Sequence, residues 1–576
     1  MQNENRQCQN CKRDFIISME DFKFFEKVSS ALQVETISSP TYCPQCRMKR
    51  RMIWRNERNW HKRVCDATGK SILSIISSYA PYKVYDQEYW KSDAWDPLAY
   101  GREFDFSQNF FYQFDELMKA VPHPNLVTRN CINSDYANYC TDGKNVYFSA
   151  SFVGAEDCAY LFGAVTESKF SMDLHQCNKS EYSYELIDCV KSYKLFFSQN
   201  CEGCVESYFL YDCRNCTNCI GCVGLRSKSY NIFNVQYSKE EYEQKLKELN
   251  INTRSGLNAI REKFKELKLE IPRKFAVFIK SNNFTGDDIL NSREVYESFY
   301  ARDVENVKYS FRVWANTKDV YDGVIVWDNA ELCYEDVSIN AQRVMFSSLI
   351  WGGFDVLYSY NCFSCNNIFG CVGLRNKSYC IFNKQYSKEQ YEELLKKIIT
   401  KMKDTKEYGE FFPSNISPFS YNEAISLEYF PLSEEEAKKE GFSWEASEKK
   451  NYEISVKSNA LPEHIDEVGE DIMKEVIECS HQGKCTHGCT TAFKISNFEF
   501  SFYKKFNLPL PTLCAFCRHR ERLENKNPLK LWHRTCMCNK NHTNHEGQCE
   551  VEFETPYSPE RPEKVYCEKC YQQEVY

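Results

Sequence analysis

Four cysteines, Cys177, Cys189, Cys201 and Cys213, stand twelve residues apart. Tyr160, Met172, Tyr184, Phe196 and Tyr208 keep the same step, and so do Gln176, Asp188, Asn200 and Asp212. A fixed step that holds a thiol column, an aromatic column and a polar column is the pattern of stacked β-rungs, in which like positions lie above one another. Twelve fully extended residues reach ~40 Å, so each unit must turn. It is half a coil or a strand–turn–strand. A second stretch repeats the step: Val320, Leu332, Val344 and Val356 form one column, and Tyr334, Phe346 and Tyr358 another. Two β-solenoid (β-helix-like) blocks are expected, over residues 131–237 and 273–386.

Each block runs into nearly the same sentence. Residues 221–243 read GCVGLRSKSYNIFNVQYSKEEYE, and residues 370–392 read GCVGLRNKSYCIFNKQYSKEQYE. In both, the strand pattern stops and a helical one starts after an N-cap serine, Ser238 or Ser387. Open ends of stacked strands expose unpaired edges and need covering. The sentence therefore reads as a helical cap written once per block.

The two ends of the chain carry metal chemistry. Cys8/Cys11 and Cys43/Cys46 form two CxxC knuckles, each able to point two thiolates at one tetrahedral zinc. Near the other end, Cys485 and Cys489 precede Cys514 and Cys517, with Phe15 and Phe493 each four residues beyond a cysteine. WHKRVC (residues 60–65) parallels WHRTC (residues 532–536), so the chain begins and ends with copies of one module. Setting Cys536 aside as the match of Cys65 leaves Cys538, Cys549, Cys567 and Cys570 as a third set, with His542 and His545 as substitutes. Cys479 and His481 lie close to the second set. Complete thiolate sets predict structural rather than catalytic zinc, about three ions in all.

Two further signals carry chemistry. Residues 47–63, RMKRRMIWRNERNWHKR, interleave cations with tryptophans, so Arg50, Arg51, Arg55 and Arg58 could hold phosphates while Trp54 or Trp60 stacks on bases. The alternative, favoured by the acidic net charge, is a helix with a solvated basic face and with Trp54 and Trp60 buried. Cys213, Cys216, Cys219 and Cys222 have a period of three, suited to a metal site or to small side chains inside a coil. The second block has Ile368 in place of one of them, which favours packing. Asp173 and His175 are the one adjacent acid–base pair a polysaccharide-cleaving groove could use.

A net charge of −8 argues against coating a polyanion along the whole length. No apolar run approaches the ~18 residues of a membrane span, and the start lacks the basic and apolar regions of a secretory signal. A cytoplasmic protein that keeps 31 cysteines reduced is expected. The segments YCPQCRMKRR, GCVGLRNKSY, YGEFFP (residues 408–413), YFPLSEEEAKKEGFSW, LPEHIDEVGEDIMKEVIEC and CEVEFETPYSPERPEKVYCEKCYQQEVY carry a resemblance over nearly the entire length. The chain resembles a family of large zinc-ribbon proteins of uncultivated small-genome bacteria, with tandem ribbons flanking a Cys/Tyr-rich repeat region. That resemblance implies zinc at both ends.

The expected architecture is multidomain and mainly β. It runs from a zinc ribbon with its basic segment (1–65) and an aromatic-rich connector (66–130) to the first block (131–237). A helical cap and linker (238–272), the second block (273–386), a further helical cap and linker (387–478) and a double zinc ribbon (479–576) complete it. The expected function is a non-catalytic, zinc-stabilised scaffold that binds a protein or other macromolecule through its β faces. A nucleic-acid-binding protein and a polysaccharide-acting enzyme are the alternatives.

Overall fold

The computed structural model describes residues 2–446, 452–486, 488–543 and 545–575. The chain is mainly β. A fourteen-stranded sheet runs from Thr128–Arg129 to Val235–Gln236, and a nine-stranded sheet from Phe278–Ile279 to Lys384–Gln385. Every pairing in both is parallel except the last, where Ser229–Ile232 pairs antiparallel with Val235–Gln236 and Ser378–Ile381 with Lys384–Gln385. The duplicated sentence builds these two hairpins and the helices that follow, Lys239–Glu248 and Lys388–Asp404. Ser238 and Ser387 cap them, each in a reciprocal box with the residue three positions on.

The twelve-residue step is the register of the first sheet. Met172 pairs with Tyr184, Tyr184 with Phe196, and Phe196 with Tyr208. Left-handed backbone recurs at every third residue from Asp173 through Gln176, Lys179, Tyr182, Glu185, Asp188, Lys191 and Lys194 to Asn200. The polar column falls on these corners: Gln176, Asp188, Asn200 and Asp212 all have φ near +50°, where Asn and Asp are better tolerated than other non-glycine residues. The thiol column faces inward. Cys177, Cys189, Cys201 and Cys213 are buried beside Leu174, Leu186 and Leu210 in one apolar cluster. Each inward apolar side chain contributes about 1.5–3 kcal/mol. Cys213, Cys216, Cys219 and Cys222 share this interior, and each thiol donates to the carbonyl two residues back, at 3.3–3.5 Å.

The second sheet departs from the sequence reading at both columns: Tyr334 pairs with Met345 rather than Phe346. Val320 pairs with Cys333 rather than Leu332, and Cys333 with Val344, so the step is thirteen and then eleven. Asp328 and Asn329, both left-handed, sit where the extra residue enters. Leu332 is pushed out of the buried column, and Cys333 is fully buried in its place. A bulge of this kind is invisible to a fixed-period search.

The aromatic columns receive the chain ends. Tyr184 meets Phe502 and Tyr503, with ring centroids 5.9 and 5.7 Å apart. Tyr321 stacks on Phe24 at 3.8 Å, and Tyr334 meets Phe25 at 5.1 Å. No described helix is long and apolar enough to cross a membrane.

The corners give a test by substitution at exposed Lys191, which has φ +52° inside the strand Val190–Gln199. Lys191→Gly should leave stability unchanged or raise it, and Lys191→Val should lower it by roughly 1 kcal/mol or more, read by thermal denaturation. A flat, extended strand would give the reverse order.

Candidate metal centres

The first ribbon is a short hairpin, Glu4–Gln7 against Asp14–Ile17, followed by two helices. Cys8 and Cys11 lie in the hairpin turn. Cys43 is the N-cap of the helix Pro44–Met52, and Cys46 lies in its first turn. Their four sulfurs lie within 4.8 Å of one another, which fits one tetrahedral ion. The Cys43 amide donates to Cys8 Sγ at 3.3 Å, and Arg13 donates to Cys11 Sγ at 3.4 Å. The hydrogen bond from the Cys43 thiol lowers the Cys46 thiol to about 5 and raises Cys43 itself.

The second ribbon repeats this build. Its hairpin is Ile477–Glu478 against Ala492–Phe493, and Cys514 caps the helix Ala515–Glu524. The clustered set is Cys479, Cys489, Cys514 and Cys517. Cys485, expected from sequence as a ligand, lies outside this set. It joins His481 and Cys517 in a separate group, and Cys479 takes its place. The Cys514 amide donates to Cys479 Sγ at 3.3 Å, as Cys43 does to Cys8. The spacing held the clue: Cys8 precedes Cys43 by 35 residues, and Cys479 precedes Cys514 by the same number. Seven extra residues between Cys479 and Cys489, compared with Cys8 and Cys11, disguised it.

The third set is Cys536, Cys549, Cys567 and Cys570. Cys538, expected in that set, instead lies with His542, His545 and Cys570. Cys536, set aside as the match of Cys65, is a member: the Cys567 amide donates to its sulfur at 3.2 Å. The match itself holds, because the Asp86 amide donates to Cys65 Sγ at 3.2 Å. In this fourth copy, Thr68, Asp86 and Tyr89 stand where Cys549, Cys567 and Cys570 stand in the third. The copy keeps the ribbon's hairpin, His61–Val64 against Ser71–Ser74, and Cys65, without the other three thiols. The donor sets suit zinc, and about three tetrahedral sites would each tie down a small module.

The helices begun by Cys43 and Cys514 carry the basic segments, and both turn inward. Arg47 and Arg51 bind the two oxygens of Asp322 at 2.8 and 2.9 Å. Arg518 and Arg522 bind those of Asp173 at 2.8 and 2.6 Å. Asp173 and Asp322 are 149 residues apart, the same offset as the duplicated sentence. Arg47 lies over the ring of Tyr309, and Arg518 over that of Tyr160, which are equivalent positions again.

This placement corrects the nucleic-acid reading of residues 47–63. Arg51 and Trp54 are fully buried. Arg50 pairs with Glu410 at 3.1 Å, Arg55 with Glu57 at 2.7 Å, and Arg58 with Glu428 at 2.5 Å. Trp60 packs edge-on against Phe148 at 4.5 Å. The basic face is neither solvated nor free for phosphate. Apart from Glu57, the acids that match its charge lie far off in sequence, a pairing no local reading could find.

The acid–base pair proposed for a groove is likewise engaged. Asp173 is held by two arginines, and burial keeps the ring of His175 neutral, well below its ordinary titration range. Burial also raises Asp287 to about 6 and Asp336 to about 7, and both are enclosed.

No protein family and no curated protein matches the chain. Among solved structures, a putative acetyltransferase from Desulfovibrio desulfuricans is similar at 10% identity and a TM-score of 0.10, over 42% of this chain and 63% of that one. At that score the likeness carries neither fold nor activity.

The two readings of the second ribbon separate cleanly. Cys479→Ser should lower zinc content by one ion per chain, measured by elemental analysis of protein purified without added metal. Cys485→Ser should leave that set filled. The opposite pattern would return Cys485 to the tetrahedral site.

Proposed function

We propose that the protein is a non-catalytic, zinc-stabilised scaffold that binds another protein through the exposed face of its second β block. The two parallel sheets are, on this reading, two β-solenoids with twelve-residue coils. Parallel pairing at twelve residues and left-handed corners every three residues support a four-sided coil, with the cysteine and leucine columns inside. Zinc would fasten the ribbons that clamp these blocks together.

One observation carries the binding role. An open groove of about 720 Å³ lies on the second block, lined by residues that include Asn291, Arg293, Asp303, Glu305 and Lys318. Its charges form rungs across neighbouring strands. Asn291 donates to Asp303 at 3.1 Å, and Arg293 pairs with Glu305 at 2.6 Å. Unlike the arginines of the ribbon helices, these groups face solvent: Arg293 and Glu305 side chains are 63% and 47% exposed. A polar groove with both signs of charge suits an extended polypeptide better than a polyanion.

Arg293→Ala/Lys318→Ala in the full chain tests the groove. Proteins cross-linked to the wild type at physiological salt should be lost from the variant, with zinc content and melting temperature unchanged. Undiminished capture by the variant would remove the groove from the account. Tight capture of RNA that falls steeply with salt would replace the protein partner with a nucleic acid.

A further inference from the structure

The turn of the C-terminal ribbon is far longer than its counterpart requires. In the N-terminal copy, Cys65 closes on Lys70 through one hydrogen bond of 2.8 Å. In the C-terminal copy, the equivalent bond joins Cys536 to Val551 at 2.9 Å, so ten more residues fill the turn. The inserted loop supplies Cys538, His542 and His545, and it folds back onto Cys570.

We propose that this ribbon holds two zinc ions sharing the Cys570 sulfur, one bound by Cys536, Cys549, Cys567 and Cys570 and the other by Cys538, His542, His545 and Cys570. The donor atoms of each set lie within 4.8 Å of one another. Two thiolates and two imidazoles make a closed tetrahedral zinc set, and a thiolate has lone pairs enough to bridge two ions.

The loop is built to present these groups. His545 has its Nδ1 at 3.0 Å from the Gly547 carbonyl and its Nε2 at 3.0 Å from Cys570 Sγ. Donation from Nδ1 to the carbonyl leaves Nε2 as the free lone pair, the second-shell arrangement that orients metal-binding histidines. The His542 side chain is 6% exposed, and its Nε2 is buried without a hydrogen-bond partner, 3.4 Å from Glu574 Oε1. A carboxylate beside an imidazole is a further orienting device of metal sites. Cys538 and Cys570 are fully buried. The Cys549 amide bonds to the Cys538 carbonyl at 2.8 Å, and the amide and hydroxyl of Thr543 bond to Gln573 on the last helix at 2.9 and 3.0 Å.

Charge supports sharing. Four thiolates around one divalent ion leave two net negative charges in a buried turn, whereas five thiolates and two neutral imidazoles around two ions leave one. Burying less net charge costs less. Binding of the second ion releases the proton of Cys538 and takes up the imidazoles in their neutral form.

The test uses the full chain purified without added metal, with zinc counted against protein by elemental analysis. The wild type should carry one ion more than His542→Ala/His545→Ala, four against three. His545→Cys, which restores a thiolate at the same place, should keep four. After exchange for Co2+, the two metals in the wild-type ribbon should couple magnetically and weaken the paramagnetic signal per cobalt, and the double-histidine variant should lose that coupling. Equal zinc in wild type and double variant, loss of an ion from His545→Cys, or uncoupled cobalt in the wild type would each overturn the proposal.

Discussion

A buried aspartate held by two arginines one helical turn apart is the contact on which the assembly rests, and the protein makes it twice. Asp322 takes Arg47 and Arg51, and Asp173 takes Arg518 and Arg522, with all six side chains nearly inaccessible to water. Removing one partner of such a pair leaves an uncompensated buried charge, at about 3–5 kcal/mol. The fork forms because each helix starts at a cysteine of a candidate metal centre. Cys43 and Cys514 fix the first residue, Cys46 and Cys517 fix the first turn, and the arginines follow on the same face. The candidate metal centre and the charge pairing thus occupy successive turns of one element.

The forks cross-link the chain. The N-terminal ribbon docks on the second sheet, and the first C-terminal ribbon docks on the first. The remaining ribbons pair with the short strands that lead into each sheet: Val84–Tyr85 pairs in parallel with His123–Pro124, and Val565–Tyr566 with Arg273–Lys274. Each terminal module therefore touches both β blocks. The order is module, block, block, module, so the chain is closed on itself by its ends.

Much of this was legible from sequence, and the failures share a cause. Period and composition were local signals: Tyr184, Phe196 and Tyr208 pair in the register their spacing implied, and Ser238 and Ser387 cap the helices they were expected to cap. The ligand sets were half-local. Pairs such as Cys514/Cys517 are secure, whereas an inserted loop puts Cys485 nearer in sequence than Cys479, and Cys536 is set aside because its match Cys65 stands in a copy that lacks the other three thiols. The basic segment reads as free because Asp322, Glu410 and Glu428 lie hundreds of residues away. A charge run reveals its sign but not its partner. Leu332 was misplaced by a bulge that shifts the period by one and then restores it.

If metal-held ribbons fasten the β blocks through the arginine forks, removing the metal must be felt inside the sheets. Hydrogen exchange of the full chain, measured by mass spectrometry before and after chelation, tests this directly. The account predicts loss of protection in Pro44–Met52 and Ala515–Glu524, and also in the strands beneath them, Phe311–Trp327 and Met172–His175. Thr217–Ile220, distant from both forks, should keep its protection. Opening of the ribbons with unchanged protection around Asp322 and Asp173 would contradict it.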